Sequence, residues 1–413
     1  MAPQQASPTE PAALEPAAFR WPAVLWATGA HFTLDLYMNT IPPLLPYLAQ
    51  QQGLSLAQTG LVLSAQSITA SFLQPLAGLV LDRWGRSWVL AASLVHTAVL
   101  VSLIGLLPAY TTLLLLFTLA GLGSSLLHPL GSVTATRAAG SQPGLAVSLY
   151  STGGNLGFAL GPVVAVPLVT GLGWRGLFYL LPFGLLYAAS FFWVQRTLPG
   201  AVPAAPGKGR VRPILADRPT RWGALGLLNV VTWLRAWAQF IVIAYFPYHF
   251  IRQGYPVTVA GPVMSTFLLA GTLGTFAAGF LADHLGRRSV VTGSLLLSLA
   301  GAWVSLTARG PLAWAGIAVL GAALHALMPV SIVIAQELAP RQAGLAAGMM
   351  MGLAFGLGGL CTPLTGFIAD TYGLPLALAS FYPIVGLALL LFLVLPGTGG
   401  REQPRHPDLT ANE

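Results

Sequence analysis

Twelve apolar stretches, each about as long as a helix that crosses a lipid bilayer, constrain this chain more than any other feature of its sequence. A spanning helix needs roughly 20 residues. These stretches are continuously apolar, whereas the strands of a membrane barrel alternate apolar and polar residues. They lie at residues 21–48, 57–81, 88–108, 112–136, 144–171, 175–197, 222–251, 257–282, 289–308, 311–336, 342–369 and 373–396. The pattern predicts an all-α membrane protein with twelve transmembrane helices.

The charge content supports a membrane location. Only 7% of the 413 residues are charged and 55% are hydrophobic, whereas a soluble domain carries about 25% charged residues. The formal net charge of +8 does not indicate a nucleic-acid interface, because the basic residues lie between apolar stretches rather than along one face. We therefore expect the lipid bilayer as the main surroundings and no nucleic-acid partner.

A short charged sequence occurs twice between apolar stretches, as GLVLDRWGR at Gly78–Arg86 and as GFLADHLGRR at Gly279–Arg288. In each copy, two Gly residues around an Asp permit a tight hairpin between two helices. Further equivalent residues lie 200 or 201 positions apart, as do Gly121 and Gly321, Pro129 and Pro329, and Pro162 and Pro363. The chain is therefore predicted to form two pseudo-symmetric six-helix bundles around a central pathway.

The polar segments define the predicted domain organisation. A disordered cytoplasmic tail at 1–20 precedes an N-terminal six-helix bundle at 21–197. A Pro-rich, basic cytoplasmic linker at 198–221 leads to a C-terminal six-helix bundle at 222–396 and a cytoplasmic tail at 397–413. Most of the 19 Lys and Arg residues lie on the same side as both termini. This bias predicts a multi-pass protein of the cytoplasmic (inner) membrane with both termini in the cytoplasm.

Two charged residues lie deep within predicted helices, Asp35 in the first helix and Arg235 in the seventh. A charge at the bilayer centre costs about 2.5–3.5 kcal/mol even on a lenient scale, so each should face a cavity or a partner. The two positions are repeat equivalents (235 − 35 = 200), and Asn39 and Gln239 follow one turn later in each helix. We expect all four side chains to face the shared pathway.

Asp35 is predicted to be the proton-binding site, and Arg235 to be either its partner or an anion-binding group. The charge state of a buried carboxyl depends on burial and on neighbouring charges, so access from either side of the membrane could switch it. The alternative is a static buried pair that only holds the two halves together.

Histidines offer further proton carriers. His31 lies one turn before Asp35 on the same helix face and is predicted to act in proton coupling, either as a relay or as a simple hydrogen-bond partner of the carboxylate. His128 in the fourth helix faces the cavity or serves as a packing residue. His96 and His325 have no partner that the sequence reveals and are assigned to packing.

Small residues predict close packing in the fifth helix. Gly153, Gly157 and Gly161 recur every four residues, and Pro162 follows them and can bend the helix. The eleventh helix repeats the pattern with Gly352, Gly356, Gly359 and Pro363. Such stripes are typical of helices that rock against a partner, and simple packing is the other interpretation.

Charged residues at the cytoplasmic ends of helices could form salt bridges that break when the inside opens. Arg137 and Glu337 are repeat equivalents at the inner ends of the fourth and tenth helices. The predicted conformational gate comprises these two residues together with Asp82, Arg83, Arg86, Asp283 and Arg287. Ordinary anchoring of the topology by these charges is the alternative.

Motifs of catalysis are not evident in the sequence. It contains no Walker loop, no metal-ligand cluster and no hydrolytic triad, and its single cysteine, Cys361, excludes an intrachain disulfide. We therefore expect neither an enzyme nor a bound cofactor or metal.

The two charged loops resemble the signature of the major facilitator superfamily between its second and third helices and the copy of it between the eighth and ninth. The fifth-helix pattern ending in Gly161-Pro162 resembles the antiporter motif of that superfamily, with Ser148 where a first Gly is usual. Within the superfamily, the chain is most similar to the fosmidomycin-resistance type of efflux transporter. The segments that carry this similarity are His31–Asp35, Leu73–Pro75, Gly123–Pro129, Gly153–Gly157 and Ala335–Leu338.

The resemblance implies proton-coupled export of a small drug or metabolite by alternating access, by a monomer whose partners are protons, the substrate and the bilayer. We expect the substrate cavity to be lined by Arg235, Asn39, Gln239, His128, Gln74, Asn155, Trp233 and Trp237. Leu130 departs from the acidic residue that often follows His-Pro in that type, so the compound handled could differ.

Several functions remain open from the sequence. An anionic substrate such as a phosphonate would suit Arg235, and a lipophilic cation would suit Asp35 and the aromatic residues. A proton-coupled importer of a small organic solute would differ only in its substrate and in its use of the gradient. A membrane-embedded enzyme would need a catalytic cluster at the membrane face, and a passive channel would not need paired halves, so both fit less well.

Overall fold

A computed structural model describes residues 19–74, 76–77, 87–140, 142–197 and 219–396, and these residues form helices and no β-strand. The α-helices are α1 (Trp21–Met38), α2 (Leu45–Gln52), α3 (Leu56–Ser67), α4 (Trp88–Ile104), α5 (Tyr110–Ala138), α6 (Pro143–Leu172), α7 (Leu181–Thr197), α8 (Trp222–Arg252), α9 (Ala260–Leu285), α10 (Arg287–Thr307), α11 (Pro311–Leu338), α12 (Ala343–Gly348), α13 (Ala354–Leu360), α14 (Thr362–Tyr372), α15 (Leu374–Ala379) and α16 (Phe381–Leu393). Short 3-10 helices lie at Pro42–Leu44, Trp174–Leu180, Val257–Val259 and Pro340–Gln342, and π-helical turns at Ile68–Phe72 and Met349–Leu353.

The predicted all-α membrane architecture is confirmed. Nine helices in the described part of the chain are long and apolar enough to cross a membrane, and the apolar helix α4 is somewhat shorter. Helical segments occupy each of the twelve predicted stretches within the described residues. The protein is therefore a membrane protein built from two pseudo-symmetric six-helix bundles.

Two predicted helices are interrupted where proline enters. The stretch 21–48 was expected to be one helix, but α1 ends at Met38 and Pro42 opens a new helical turn. A second break at Cys361 precedes Pro363, which lies in the first turn of α14. Proline lacks an N–H and is tolerated in the first turn of a helix, so the chain restarts there.

The two bundles pack through equivalent helices. Successive spans run in opposite directions, so alternate connections lie at the same end of the molecule. We call the end with residues 138–142 and 219–221 the linker end. The distal end carries the loop at 53–55. Between the bundles, α3 packs against α14 and α6 packs against α9. Counted along the chain, the first pair is span two with span eleven, and the second is span five with span eight. The internal repeat relates span two to span eight and span five to span eleven, so the two contacts are equivalent.

Close approach of α1 and α6 sets the geometry of the N-terminal bundle. A Cβ atom added at Gly153 or Gly157 would lie 2.5 or 2.0 Å from the carbonyl oxygen of Thr28 or Phe32. At Gly161 it would lie 2.7 Å from the carbonyl oxygen of Leu36. Only glycine permits backbones to come this close, so the stripe fixes α6 along the face of α1.

Some predictions fall outside the described residues. These include the gate residues Asp82, Arg83 and Arg86, most of the predicted tails, and the linker up to residue 218. The domain boundaries at 20, 197, 221 and 396 stay predictions.

Candidate functional site

Helices α1 and α5 bring a carboxylate and two imidazoles together in the N-terminal bundle. Asp35 lies 14 residues into α1 (35 − 21), or about 21 Å along its axis. His31 Nε2 is 3.1 Å from Asp35 Oδ2, and His128 Nε2 is 3.2 Å from Asp35 Oδ1. The side chains of His31, Asp35 and His128 are 14%, 14% and 27% exposed, so the protein does not fully enclose this group.

The backbone of α6 determines the proton position on His31. Its Nδ1 lies 2.9 Å from the carbonyl oxygen of Tyr150. A carbonyl can only accept, so Nδ1 carries a hydrogen. The ring of Tyr150 stacks on His31 with centroids 4.2 Å apart. A Cβ at Gly154 would come within 2.3 Å of the His31 ring, so this glycine makes room for the imidazole.

The partners of His128 assign the opposite role to its two nitrogens. Its Nδ1 lies 3.2 Å from Gln74 Nε2, an amide donor in this orientation, and 3.3 Å from Ser124 Oγ. Nδ1 therefore accepts, and the Nε2 hydrogen is donated to Asp35 Oδ1. The hydroxyl of Tyr150 donates to the carbonyl of His128 at 3.2 Å, which ties α6 to α5.

One proton must consequently lie between His31 Nε2 and Asp35 Oδ2. Without it, an imidazole lone pair and a carboxylate oxygen, both acceptors, would face each other at 3.1 Å. The proton can be formally on either partner, as an ion pair or as two neutral groups. We call the group formed by His31, Asp35 and His128 the acid cluster; in this hydrogen-bond arrangement, one hydrogen lies between His31 Nε2 and Asp35 Oδ2.

The C-terminal bundle carries a different arrangement around Arg235, which is only 2% exposed. Its Nη1 donates to Gln239 Oε1 at 2.8 Å and to the carbonyl of Leu324 at 3.2 Å. Gln239 Nε2 lies 3.1 Å from His325 Nε2, and His325 Nδ1 lies 2.9 Å from the carbonyl of Gly321. We call Arg235, Gln239 and His325 the guanidinium cluster.

Asp35 and Arg235 are not partners in this structure. The described ion pairs of Asp35 are with His31 and His128, and none of the described pairs includes Arg235. The described residues therefore do not show Arg235 as the partner of Asp35, and its role as an anion-binding group stays a prediction. His325, assigned to packing from the sequence, is instead hydrogen-bonded within the guanidinium cluster.

The remaining predicted cavity residues differ in their burial and in their hydrogen-bond partners. Asn39 is buried at the end of α1, and its side chain donates weakly to the Asp35 carbonyl at 3.4 Å. Trp237 Nε1 donates to Thr365 Oγ1 at 2.9 Å. Asn155 and Trp233 are half-buried. Gln74 contacts His128 directly, as described above.

Among the predicted gate charges that the structure describes, an ion pair lies within a single bundle. Arg287 and Glu337 form an ion pair, but both belong to the C-terminal bundle, at the start of α10 and the end of α11. Asp283 and Arg137 are exposed. The Arg287–Glu337 pair joins two helices of one bundle and so does not by itself hold the bundles together.

Within the part of the chain that the structure describes, four hydrogen bonds join the bundles away from the linker end. Both carboxylate oxygens of Asp370 on α14 accept from the backbone N–H groups of Leu56 and Ala57, each at 2.8 Å. A carboxylate at a helix N-terminus is stabilised by the unpaired N–H groups and the helix dipole. Tyr245 donates to the Leu56 carbonyl at 3.4 Å, and Ser265 donates to the Ala159 carbonyl at 2.7 Å.

The acid cluster also has the donor types of a metal site. Its potential ligand atoms lie within 4.8 Å of one another, and two imidazoles with one carboxylate could hold a divalent transition metal. The sequence did not reveal this group because His128 is 93 residues from Asp35. The hydrogen bonds described above account for the arrangement without an ion.

Sequence reasoning missed four contributors to these sites. Tyr150 and Ser124 lack a charge, and only their contacts with the histidines identify them. Asp370 caps α3 across the bundle interface, and such a contact leaves no local signal in the sequence. The Leu324 carbonyl accepts from Arg235, but a backbone carbonyl has no sequence signal that says Arg235 would select it.

Comparisons with known proteins agree with this architecture. The sequence pattern of the Major Facilitator Superfamily matches residues 27–261 and 228–412. The uncharacterized MFS-type transporter YfnC of Bacillus subtilis (strain 168) is 30% identical over 383 residues, which cover 90% of this chain and 92% of that protein. The fosmidomycin resistance protein of Escherichia coli (strain K12) is 27% identical over 372 residues, covering 88% of this chain and 90% of that protein.

A solved structure has the same fold. The crystal structure of a bacterial homologue of the human lysosomal transporter Spinster, in an inward-facing and occupied conformation, superposes with a TM-score of 0.76 at 15% identity. The match covers 91% of this chain and 97% of that chain.

Proposed function

This chain belongs to the major facilitator superfamily, and we propose that it is a secondary active transporter that exports a small drug or metabolite in exchange for protons by alternating access. In this proposal it works as a monomer in the cytoplasmic membrane with both termini in the cytoplasm. The observation that carries the proposal is the acid cluster. It is a partly exposed carboxylate deep in a spanning helix that shares one proton with a histidine.

Loss of the shared proton changes both the charge of the acid cluster and the contact between His31 and Asp35. When it is present, His31 Nε2 and Asp35 Oδ2 attract each other across 3.1 Å. When it leaves, two acceptors face each other, and the contact becomes repulsive. Asp35 must then separate from His31 or find another donor, so release of the proton favours a rearrangement of α1.

The tight packing of α1 on α6 carries such a rearrangement to the bundle interface. Helix α6 contacts α1 through its glycine stripe and contacts α9 of the other bundle. A shift of α1 therefore displaces a helix that forms part of the interface. The Asp370 contact joins α14 to α3 near the distal end, and in this proposal it breaks when that end opens.

The direct test is transport in proteoliposomes under an imposed pH gradient, with fosmidomycin as the first compound because one relative is named for resistance to it. Wild-type protein should move the compound against its gradient when the pH gradient is present. Asp35→Asn should bind substrate but not respond to the gradient. Asp217→Asn, which makes the same charge change in the predicted linker, is the matched control.

Tolerance of cells to a compound panel completes the test. Expression should raise tolerance to at least one transported compound, and Asp35→Asn should remove the gain. Full gradient-driven export by Asp35→Asn would refute the coupling role. Unchanged tolerance together with substrate-driven proton entry during uptake would instead assign import.

A further inference from the structure

Arg235 carries a buried charge for which the described residues provide no counter-charge. Arginine is always protonated in proteins, and only 2% of this residue is exposed. Its Nη1 makes the two hydrogen bonds to Gln239 and to the Leu324 carbonyl. Its Nε is buried and has no hydrogen-bond partner. The guanidinium thus retains donor capacity that the protein leaves unused.

The acidic residues in the described part of the chain are all engaged elsewhere or exposed. Asp35 contacts His31 and His128, Glu337 pairs with Arg287, and Asp370 caps α3. Asp283 is exposed near the end of α9. No carboxylate among these residues is therefore available to Arg235.

The direction of the hydrogen bonds shows that the guanidinium cluster is otherwise neutral. The Gly321 carbonyl can only accept, so His325 Nδ1 carries a hydrogen. The Gln239 Oε1 atom accepts from Arg235, so its Nε2 group is the donor and His325 Nε2 is the acceptor. His325 is consequently the neutral tautomer, and the cluster has a net charge of +1.

A buried cation surrounded only by neutral dipoles is unfavourable, because neutral hydrogen bonds replace only part of its hydration. Proteins retain such groups in membrane spans where they contact ions or substrates. Arg235 is the repeat equivalent of Asp35, whose cluster is partly exposed. Helices α1 and α8 are the first helices of the two bundles and are equivalent in the repeat. A rearrangement of the bundles that exposes α1 to the pathway should therefore expose the equivalent face of α8.

We propose that Arg235 is the anion subsite of the transport pathway, and that it binds a phosphonate, sulfonate or carboxylate group of the transported molecule. The Nε–H and the remaining Nη hydrogens would donate to the acid group, while Gln239 and the Leu324 carbonyl hold the guanidinium in place. This inference rests on the proposed transport function and narrows its substrate to organic anions.

The two clusters would then have separate tasks. The acid cluster takes the proton, and the guanidinium cluster takes the negative group of the substrate. Because Asp35 and Arg235 share no contact among the described ion pairs, anion affinity should not require an intact Asp35. A substrate that needed Asp35 as its counter-ion would be a cation and would fail this condition.

Binding to the purified full-length protein in a neutral detergent tests the subsite without a gradient. The probes are butylphosphonate, butylsulfonate and butyrate, with neutral diethyl butylphosphonate as the uncharged analogue and inorganic phosphate as the free anion. Tryptophan fluorescence is a suitable readout because Trp233 and Trp237 flank Arg235. Thermal unfolding with and without each probe gives a second readout.

We expect saturable binding of at least one organic anion to the wild type and to Arg252→Gln, a matched loss of positive charge at the exposed end of the same helix. Arg235→Gln should weaken binding by about tenfold or more, as the loss of charge-assisted hydrogen bonds predicts. Asp35→Asn should leave the affinity unchanged.

Gln239→Glu keeps the test valid if Arg235→Gln does not fold. A carboxylate at this position would pair with Arg235 inside the protein, so the variant should unfold at a higher temperature without ligand and should lose anion binding. If Gln239→Glu binds anions as the wild type does, the assignment is wrong.

Other outcomes also decide the question. Equal binding of the neutral ester and the phosphonate, or unchanged binding by a folded Arg235→Gln, would refute an anion subsite. Binding of inorganic phosphate but of no organic acid would refute its role for substrate. Gradient-driven export of a neutral or cationic compound without anion binding would leave the transport function standing and remove only this inference.

Discussion

The two lead helices α1 and α8 carry opposite charges at equivalent positions and surround them in opposite ways. Asp35 is partly exposed and lies between two histidines, one of which shares its proton. Arg235 is almost fully buried and contacts one amide and one backbone carbonyl. The two charged residues lie at the same depth on equivalent helices, but the side chains that contact them differ. In our proposal, this difference means that one half exchanges a proton and the other holds a fixed charge.

The largest expected effect is that substitutions of Asp35 and of Arg235 abolish different steps of transport. Asp35→Asn should reduce pH-gradient-driven export to background, because an amide cannot carry the exchangeable proton. Arg235→Gln should keep proton binding and lose substrate affinity. Transport with and without a gradient, together with equilibrium binding, distinguishes these failures. If both variants lost the same property, the functional contrast between the halves would be wrong.

A smaller contrast is expected within the acid cluster. His31→Gln should uncouple export from the pH gradient, because an amide cannot replace the base that shares the proton with Asp35. His128→Gln should retain export within about tenfold, since a Gln amide can still donate one hydrogen bond to Oδ1. The pH profile of export checks this: it should flatten in His31→Gln and keep its shape in His128→Gln. Equal profiles would contradict the tautomer assignment.

Packing provides a third comparison between the halves. Gly157→Ala would place a Cβ 2.0 Å from the Phe32 carbonyl oxygen, whereas at Gly352 the nearest atom is the Ser71 carbonyl oxygen at 3.4 Å. Overpacking of this kind costs about 1–3 kcal/mol, so Gly157→Ala should lower the unfolding temperature. Gly352→Ala is the matched control and should have little effect. Equal unfolding temperatures would mean that α1 and α6 have room to separate.

The smallest effect is expected at the distal contact between the bundles. Asp370→Ala removes the carboxylate that accepts from Leu56 and Ala57, a capping interaction worth about 1 kcal/mol. Hydrogen exchange of a peptide spanning residues 54–60 should become faster in this variant and remain unchanged in Asp217→Asn. Unchanged exchange in Asp370→Ala would show that other contacts alone keep this end closed.

Much of the site could be anticipated residue by residue. Asp35 and Arg235 were identified because charges are rare in apolar spans and because the two positions are 200 apart (235 − 35). His31 followed from its position one turn before Asp35. The contact between His128 and Asp35 could not be predicted, because 93 residues separate the two in the sequence. His325 was assigned to packing without a named partner, because Gln239 meets it only after α8 and α11 pack.

The sequence alone determined that the fold lies in a lipid bilayer, that it contains a duplication, and how deep the two charges lie. Hydropathy, the spacing of the repeat and the position of a residue within a helical span can all be read along the chain. The tertiary structure decided which groups surround those charges, two histidines at Asp35 and neutral hydrogen-bond acceptors at Arg235. Proton position and charge compensation depend on distances of about 3 Å between side chains, and such distances arise only when helices far apart in the chain come into contact.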